Sequence, residues 1–325
     1  MEKHMRTGIE ALSSPQAAPF VTRAAGALRN ILAFFDRDRN RWTLMRLPAD
    51  RRSVADRMSV ADRMSVADRM SMAESGRRAS ARDSAAGRIF QLRVAPEGRF
   101  LPDFRPGQFA FVSFPGRGAL ASPRPIAIAS PPSENRFLDF FLKDEDDWTL
   151  AAKSLEAGGG TGSGDERIRA RIDLPFGRFS YLAAPGTGRF VFIAGGMGIL
   201  PFISMLRFMA DADGGRKVLL LWGARTHEDL PAKTELAEAR ERLPGLRFVP
   251  ILTRDPLWTG ERGRIDAEKL ARIVPVFFGT RAGDFEWNSA SYWLCGPGRF
   301  EKDLGSILRS FGVGKAAIHS SAFAL

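Results

Sequence analysis

Gly195-Gly196-Met197-Gly198 places three glycines in four positions. The apolar run Phe190–Ala194 leads into them, and Pro201 opens a segment of helical spacing behind them. A strand that turns sharply on glycine into a helix aims backbone N–H groups at one point, and the helix dipole adds partial positive charge there. With no Cβ in the way, an anion can approach the backbone closely. The chemistry this suits is phosphate binding. Cys295-Gly296-Pro297 ends a second apolar run, Tyr292-Trp293-Leu294. Two other readings compete. The uncharged stretch from Phe190 to Leu206 has the short limiting length of a membrane span, but glycines and a proline interrupt it. A glycine turn can also bind nothing, since short glycine motifs occur often by chance.

The elements that must position these motifs follow from texture. After Gly188, strands are expected at 189–194, 217–222, 247–252 and 291–295. Helices are expected at 201–212, 231–242, 266–273 and 300–311. Such alternation predicts a parallel sheet with helices on both faces. Ligands in such sheets sit beyond the carboxyl ends of the strands, where both glycine motifs fall. Between Arg88 and Asp173 the pattern is different. Short alternating runs at Ile89–Val94, Gln108–Phe114, Ile126–Ser130, Leu138–Lys143 and Arg167–Asp173 are punctuated by Pro and Gly. That spacing predicts a small antiparallel barrel. A short helix is expected from Asp147 to Leu155, followed by a flexible loop at Gly158–Gly164.

Residues 1–86 read as a basic extension, largely disordered. The first 85 residues hold 16 Lys/Arg against 10 Asp/Glu, within a chain of net charge +11. No nucleic-acid module accompanies this charge, so no nucleic-acid partner is expected. Residues 53–70 are three identical copies of Ser-Val-Ala-Asp-Arg-Met. Six residues turn a helix by about 600°, so no lasting apolar stripe forms, and 44–86 reads as linker. Residues 18–35 differ: Phe20, Val21, Ala24, Leu28, Ile31, Leu32 and Phe35 have amphipathic helical spacing. That helix could pack on the body, lie on a membrane surface or dock a partner. The single cysteine, Cys295, excludes an internal disulfide and a four-cysteine cluster, and the three histidines lie far apart. No metal site is read. The start of the chain has no secretory pattern, which favours a cytoplasmic setting, with the inner face of a membrane as its alternative.

Eight motifs in order carry a resemblance across residues 86–325. They are Arg105-Pro106-Gly107-Gln108-Phe109, Arg124-Pro125 leading to Ile128-Ala129-Ser130, Asp147-Trp148-Thr149, and Pro175-Phe176-Gly177-Arg178-Phe179. The glycine turn with Ile199 and Pro201 follows, then Gly223-Ala224-Arg225-Thr226, Cys295-Gly296-Pro297, and Ile318-His319 with Phe323. In these the chain resembles the ferredoxin–NADP⁺ reductase superfamily, closest to the reductase part of the ferric reductase and NADPH oxidase group. The resemblance implies an FAD-binding barrel over 87–186 and a Rossmann-like NAD(P)-binding domain over 187–325, with FAD and NAD(P)H as cofactors. It implies that Arg124 grips the flavin pyrophosphate, joined by Thr149, and that Pro125, Ile126, Ala127, Gly177 and Phe179 complete the flavin site. For the nicotinamide coenzyme it implies Gly195, Gly196, Gly198, Arg225, Gly296 and Phe323. Cys295, near the nicotinamide ring, is the catalytic candidate. Arg225 lies where the adenosine ribose or its 2′-phosphate would be bound and could pair with that phosphate, but Glu228 and Asp229 beside it favour NADH.

The chain departs from that pattern in several places. Ile126 stands where an aromatic ring stacks on the flavin, and Ala127 where a hydroxyl lies near the reacting nitrogen. Asp146 replaces a glycine before Asp-Trp-Thr, and Ser321 replaces an acid near the C-terminus. Met197 and Leu200 replace residues that are often Thr. The implied activity is an FAD-dependent, ferric reductase-like NAD(P)H reductase. It would serve a ferric chelate, a small redox protein or a haem membrane partner, the last met at a membrane surface or through the N-terminal region. The departures carry the alternative, a degenerate nucleotide- or partner-binding module without turnover.

Overall fold

A computed structural model describes residues 41–45, 89–97, 101–156, 168–183, 188–212 and 215–321. Alternation builds the first sheet. In chain order it contains β1 (Arg41–Met45), β2 (Ile89–Pro96), β3 (Phe109–Ser113), β4 (Arg124–Ala127), β5 (Leu138–Lys143) and β6 (Arg169–Phe176). They lie in the order β4-β3-β6-β1-β2-β5, antiparallel throughout. The two ends meet where the Ala129 N–H donates to the Asp139 carbonyl at 2.9 Å, which closes the sheet towards a barrel. Leu92, Val94, Ala110, Val112, Leu138, Phe140 and Ile172 point into its core. Helix α1 (Asp147–Glu156) adds Trp148, Ala152 and Leu155 to that core. The Trp148 indole donates to the Ser122 carbonyl at 3.1 Å, so its one polar atom is satisfied.

Strand β1 corrects the expected division of the chain. It lies within the stretch read as extension, yet it sits mid-sheet, paired with β6 on one side and β2 on the other. Its register, Trp42 opposite Pro96 and Leu44 opposite Val94, leaves 43 residues between the partners. Five residues suffice because the backbone pairs along both edges. The helix expected at 18–35, the repeats at 53–70 and the loop at 158–164 lie outside the described residues.

Continuous apolar runs build the second sheet, as expected for parallel strands covered on both faces. Its elements are β7 (Arg189–Gly195), α2 (Leu200–Ala212), β8 (Lys217–Ala224), α3 (Lys233–Arg242), β9 (Leu246–Leu252), β10 (Glu261–Arg262), α4 (Ala267–Phe277), β11 (Ser291–Cys295), α5 (Gly298–Ser310) and β12 (Ile318–Ser320). All are parallel, in the order β10-β9-β8-β7-β11-β12. Phe190, Phe192, Leu220 and Trp293 pack towards α2 and α3. Val191, Ile193, Leu219 and Leu294 pack towards α4 and α5. The chain runs outward from β7 through β8 to β10, then returns to place β11 on the other side of β7. The order reverses there, and ligands of such sheets bind at that reversal. The stretch 190–206 therefore divides into strand, turn and helix. Among the described residues no helix is long and apolar enough to cross a membrane.

The two sheets join through α2. Ala127, Ala129, Phe141, Phe179 and Tyr181 from the barrel share one apolar cluster with Phe202, Met205 and Leu206. Polar ties fix the joint. The Ser204 hydroxyl donates to the Ser130 carbonyl at 2.8 Å, and Lys143 pairs with Asp229 at 3.3 Å. Arg207 reaches the Ala129 carbonyl at 3.3 Å and the Asp139 carboxylate at 3.4 Å. Arg93 grips the same fully buried carboxylate with two bonds, 2.6 and 2.9 Å. A carboxylate so buried is tolerable only when its charge is matched this way.

Candidate functional site

The glycine turn closes the carboxyl end of β7. Gly196–Ile199 form one 3-10 turn and α2 follows at once. Its glycines serve different ends. Gly196 has φ +56°, a left-handed angle that a β-branched residue resists, and a Cβ there would meet no atom within 4 Å. A Cβ on Gly198 would lie 2.2 Å from the Cys295 carbonyl oxygen. Gly198 thus clears space for the end of β11, whereas Gly196 leaves the solvent side of the turn bare. The Trp222 indole donates to the Gly196 carbonyl at 2.9 Å and holds the turn from below. Gly195 and Gly296 face each other, and the ring of Phe300 packs against both positions.

Cys295 ends β11 and is buried. Burial pushes its thiol up to about 12, a hydrogen bond with Ser321 opposes this, and the nearby Glu301 charge adds to it. The thiol is therefore neutral at ordinary pH and offers contact, not nucleophilic attack. Glu301, on the first turn of α5, is a residue the sequence reading missed. One carboxylate oxygen accepts the Gly296 N–H at 3.1 Å and the Ser321 hydroxyl. An acid thus stands beside position 321 after all, delivered by the helix rather than the C-terminal segment. Its signal was a lone Glu among the turn-forming residues just after Cys-Gly-Pro. His319 stacks on Trp293, ring centroids 4.0 Å apart, and burial favours its neutral form.

Arg225 is exposed just beyond β8. Its carbonyl accepts the Arg254 N–H at 2.8 Å, so a second arginine follows β9 at the same edge. Sequence reading overlooked Arg254, although it stands after its strand much as Arg225 stands after β8. Phe323 lies outside the described residues.

On the barrel, Arg124 and Thr149 come together with Asp146 between them. Arg124 Nη1 donates to Asp146 Oδ1 at 2.7 Å, and Nη2 donates to Oδ2. Asp146 also caps α1, its Oδ1 accepting the Thr149 N–H at 2.9 Å. The Thr149 hydroxyl accepts the backbone N–H of Glu145 and of Asp146, at 3.1 and 3.0 Å. The Arg124 guanidinium beside Asp146, with the Thr149 donors behind it, holds that carboxyl well below the usual carboxylate range. A cation beside a helix amino end suits a pyrophosphate. Here both already serve an internal acid.

The rest of the expected flavin set divides by strand alternation. Ile126 lies opposite Ala110 and belongs to the barrel core, which differs from its expected place as a stacking slot. Ala127 turns the other way, into the cluster at the joint. Pro125 is exposed. Gly177 has φ +88° and its carbonyl accepts the Gln108 side-chain amide at 2.8 Å. Phe179 is buried, its ring edge-on to Phe202 and Trp293 at 5.6 and 5.3 Å. No group of acids, cysteines and histidines among the described residues could hold a metal ion.

The profile of the oxidoreductase NAD-binding domain matches residues 192–305. The reductase component of phenol 2-monooxygenase from Pseudomonas sp. (strain CF600) is 27% identical over 201 residues, 60% of this chain and 50% of that protein. A ferredoxin–NAD(P)⁺ reductase component of naphthalene 1,2-dioxygenase/salicylate 5-hydroxylase systems from Ralstonia sp. is 24% identical over 247 residues, 75% of this chain and 67% of that one. Several curated relatives are matched over only about half of their length. In fold, the chain is similar to a ferredoxin NADP⁺ reductase from Neisseria gonorrhoeae solved with bound FAD and NADP. The TM-score is 0.55 at 21% identity, over 72% of this chain and 92% of that one. The antiparallel barrel joined to a parallel sheet, with its glycine turn at the strand-order reversal, is thus similar in fold to a known reductase, and the NAD-binding profile falls on the parallel-sheet half.

Proposed function

We propose that this chain is an FAD-dependent NAD(P)H oxidoreductase that passes electrons to an external acceptor. One observation carries the reading. Cys295 and Ile199, beside the glycine turn, share a single apolar cluster with Ala127 of the barrel strand. The edge proposed for nicotinamide and the strand proposed for flavin thus meet across the joint. The Gly196 turn would receive the coenzyme pyrophosphate on backbone N–H groups. Cys295, neutral and buried, would give the nicotinamide ring an apolar contact and help exclude water. Glu301 fixes the backbone at Gly296 and the Ser321 hydroxyl, so the end of β11 is held in place. Bound FAD would supply the exchange between two-electron and one-electron transfer, and the protein its placement. Arg124 is the cation for the flavin pyrophosphate. The relatives described above are reductase components of oxygenase systems, which favours a protein as acceptor, with a ferric chelate or a haem protein as the other classes. Arg225 and Arg254 together form a cationic edge suited to a 2′-phosphate, against the NADH preference read from sequence.

The test is anaerobic. NADH or NADPH added to the protein with FAD should bleach the flavin band at ~450 nm, as a cofactor carrying the electrons requires. Without bleaching at saturating FAD and either coenzyme, the chain would be a binding module without turnover. Steady-state rates with the two coenzymes would decide the preference.

A further inference from the structure

The Arg124 fork and the amino end of α1 are filled by one side chain. Asp146 gives an oxygen to each terminal nitrogen of the guanidinium, and one of those oxygens also accepts the Thr149 N–H. A two-pronged guanidinium contact combined with a helix N-terminus is how a phosphate group is held. Capping alone asks for less. Ser, Asn or Asp serve about equally well at an N-cap, and none needs an arginine. The neighbouring acids are engaged elsewhere: Asp144 pairs with Lys153, and Glu145 with Lys143 at 2.9 Å. Of this acidic run, Asp146 is the one set against Arg124. The side chains of the pair are 35% and 43% exposed, so a ligand from solvent can reach them. Ion pairs this exposed are weakly held and displaceable.

We infer that Asp146 is an internal competitor for the anion Arg124 would receive, and so a residue that sets specificity against phosphate-bearing flavins. This rests on the flavin reading above and adds to it. A flavin with a pyrophosphate binds only by displacing the Asp146 carboxylate and then sits beside its charge. A flavin without phosphate meets neither cost. Asp146 should therefore lower the affinity for FAD and leave that for riboflavin almost untouched.

Equilibrium titration of the full chain with FAD and with riboflavin, followed by flavin fluorescence, tests this in wild type and Asp146→Asn. Asparagine keeps the cap and removes the charge, and a thermal melt checks that the fold is retained. The expected result is FAD binding tightened about tenfold or more, with riboflavin changed less than twofold. If wild type binds FAD and the folded variant binds it no better, the inference is overturned and the flavin reading stands. An equal gain for both flavins also overturns it, because the effect would then not pass through the phosphate. Absence of FAD binding in both proteins overturns the inference together with the reading beneath it.

Discussion

Each half of the molecule has a place proposed here for an anion, and the two are made by opposite means. The parallel-sheet half uses backbone alone: the turn at Gly196, the start of α2 and the end of β11. The barrel half uses a side-chain cation at Arg124, and that cation is taken by a neighbouring acid. The shape of the glycine turn follows from strand order and from the left-handed backbone at Gly196, and so does not depend on nearby charges. A side-chain site depends on which charges lie nearby, so one residue such as Asp146 can fill it. The half built on backbone keeps its geometry, while the half built on charge is open to change by substitution.

The largest expected effect breaks the joint between the halves. Asp139→Ala leaves Arg93 and Arg207 facing each other without their shared carboxylate. Loss of one partner from a buried ion pair costs about 3–5 kcal/mol. At about 2–4 °C per kcal/mol or somewhat less for a chain of this size, a fall in melting temperature of roughly 5–15 °C is expected, and a change of only a degree or two would mean that the carboxylate does not hold the halves together. Next come the glycines. Gly198→Val puts side-chain atoms into the Cys295 carbonyl and should destabilise by roughly 1–3 kcal/mol or more through overpacking. The Cβ of Gly196→Val meets no atom within 4 Å, but the residue is forced into a left-handed angle, a cost on the order of 1–2 kcal/mol. Gly196→Val should also raise the Michaelis constant for NAD(P)H at least tenfold with flavin binding unchanged. A shared loss of both ligands would show that the two anion sites are not separate.

Arg124→Ala sharpens the comparison from the barrel side. FAD binding should weaken by about tenfold to a hundredfold and coenzyme binding should not change, on the usual strength of a charge-assisted pair. Its effect on stability should be small, because the pair with Asp146 is exposed. What effect there is has a predictable sign with pH. The Asp146 carboxyl is held below its unfolded value. Its contribution is full above that value, about 3.9, and is lost as pH falls towards the folded one. The melting-temperature lead of wild type over Arg124→Ala should be constant from pH 5 to 8 and shrink below about pH 4.

Sequence made the parallel half the more legible. Its strands carry unbroken apolar runs and its turn carries its own glycines, so the signal is local. The strands expected at 189–194 and 291–295 appear as β7 and β11, side by side. The barrel was legible as a class but not in full. β1 is five residues long and its partner β2 lies 43 residues on, beyond the reach of any local pattern. The shared carboxylate of Asp139 could not be foreseen either, since its two arginines are 46 and 68 residues away in the chain. Asp146 was recognisable as an acid where a glycine is usual. That it would turn onto Arg124 depended on how α1 meets β4, which spacing does not reveal.

The smallest expected effect concerns the repeats at 53–70. They lie within the 43 residues joining β1 to β2, so deleting all three copies shortens that connection without touching either paired strand. The entropy of closing a chain varies as three-halves of RT times the logarithm of its length. Cutting the connection to about 25 residues should therefore stabilise the barrel by only ~0.5 kcal/mol. Removing residues 1–52 is a different change, because it takes β1 from between β6 and β2 and exposes ladder bonds on both neighbours. Melting curves of the two deletions give the answer. The repeat deletion should melt within a degree or two of wild type, and the truncation far below it. If both melted together at a low temperature, the repeats would have to be part of the folded barrel. If both melted with wild type, β1 would contribute nothing to the sheet in which it is paired.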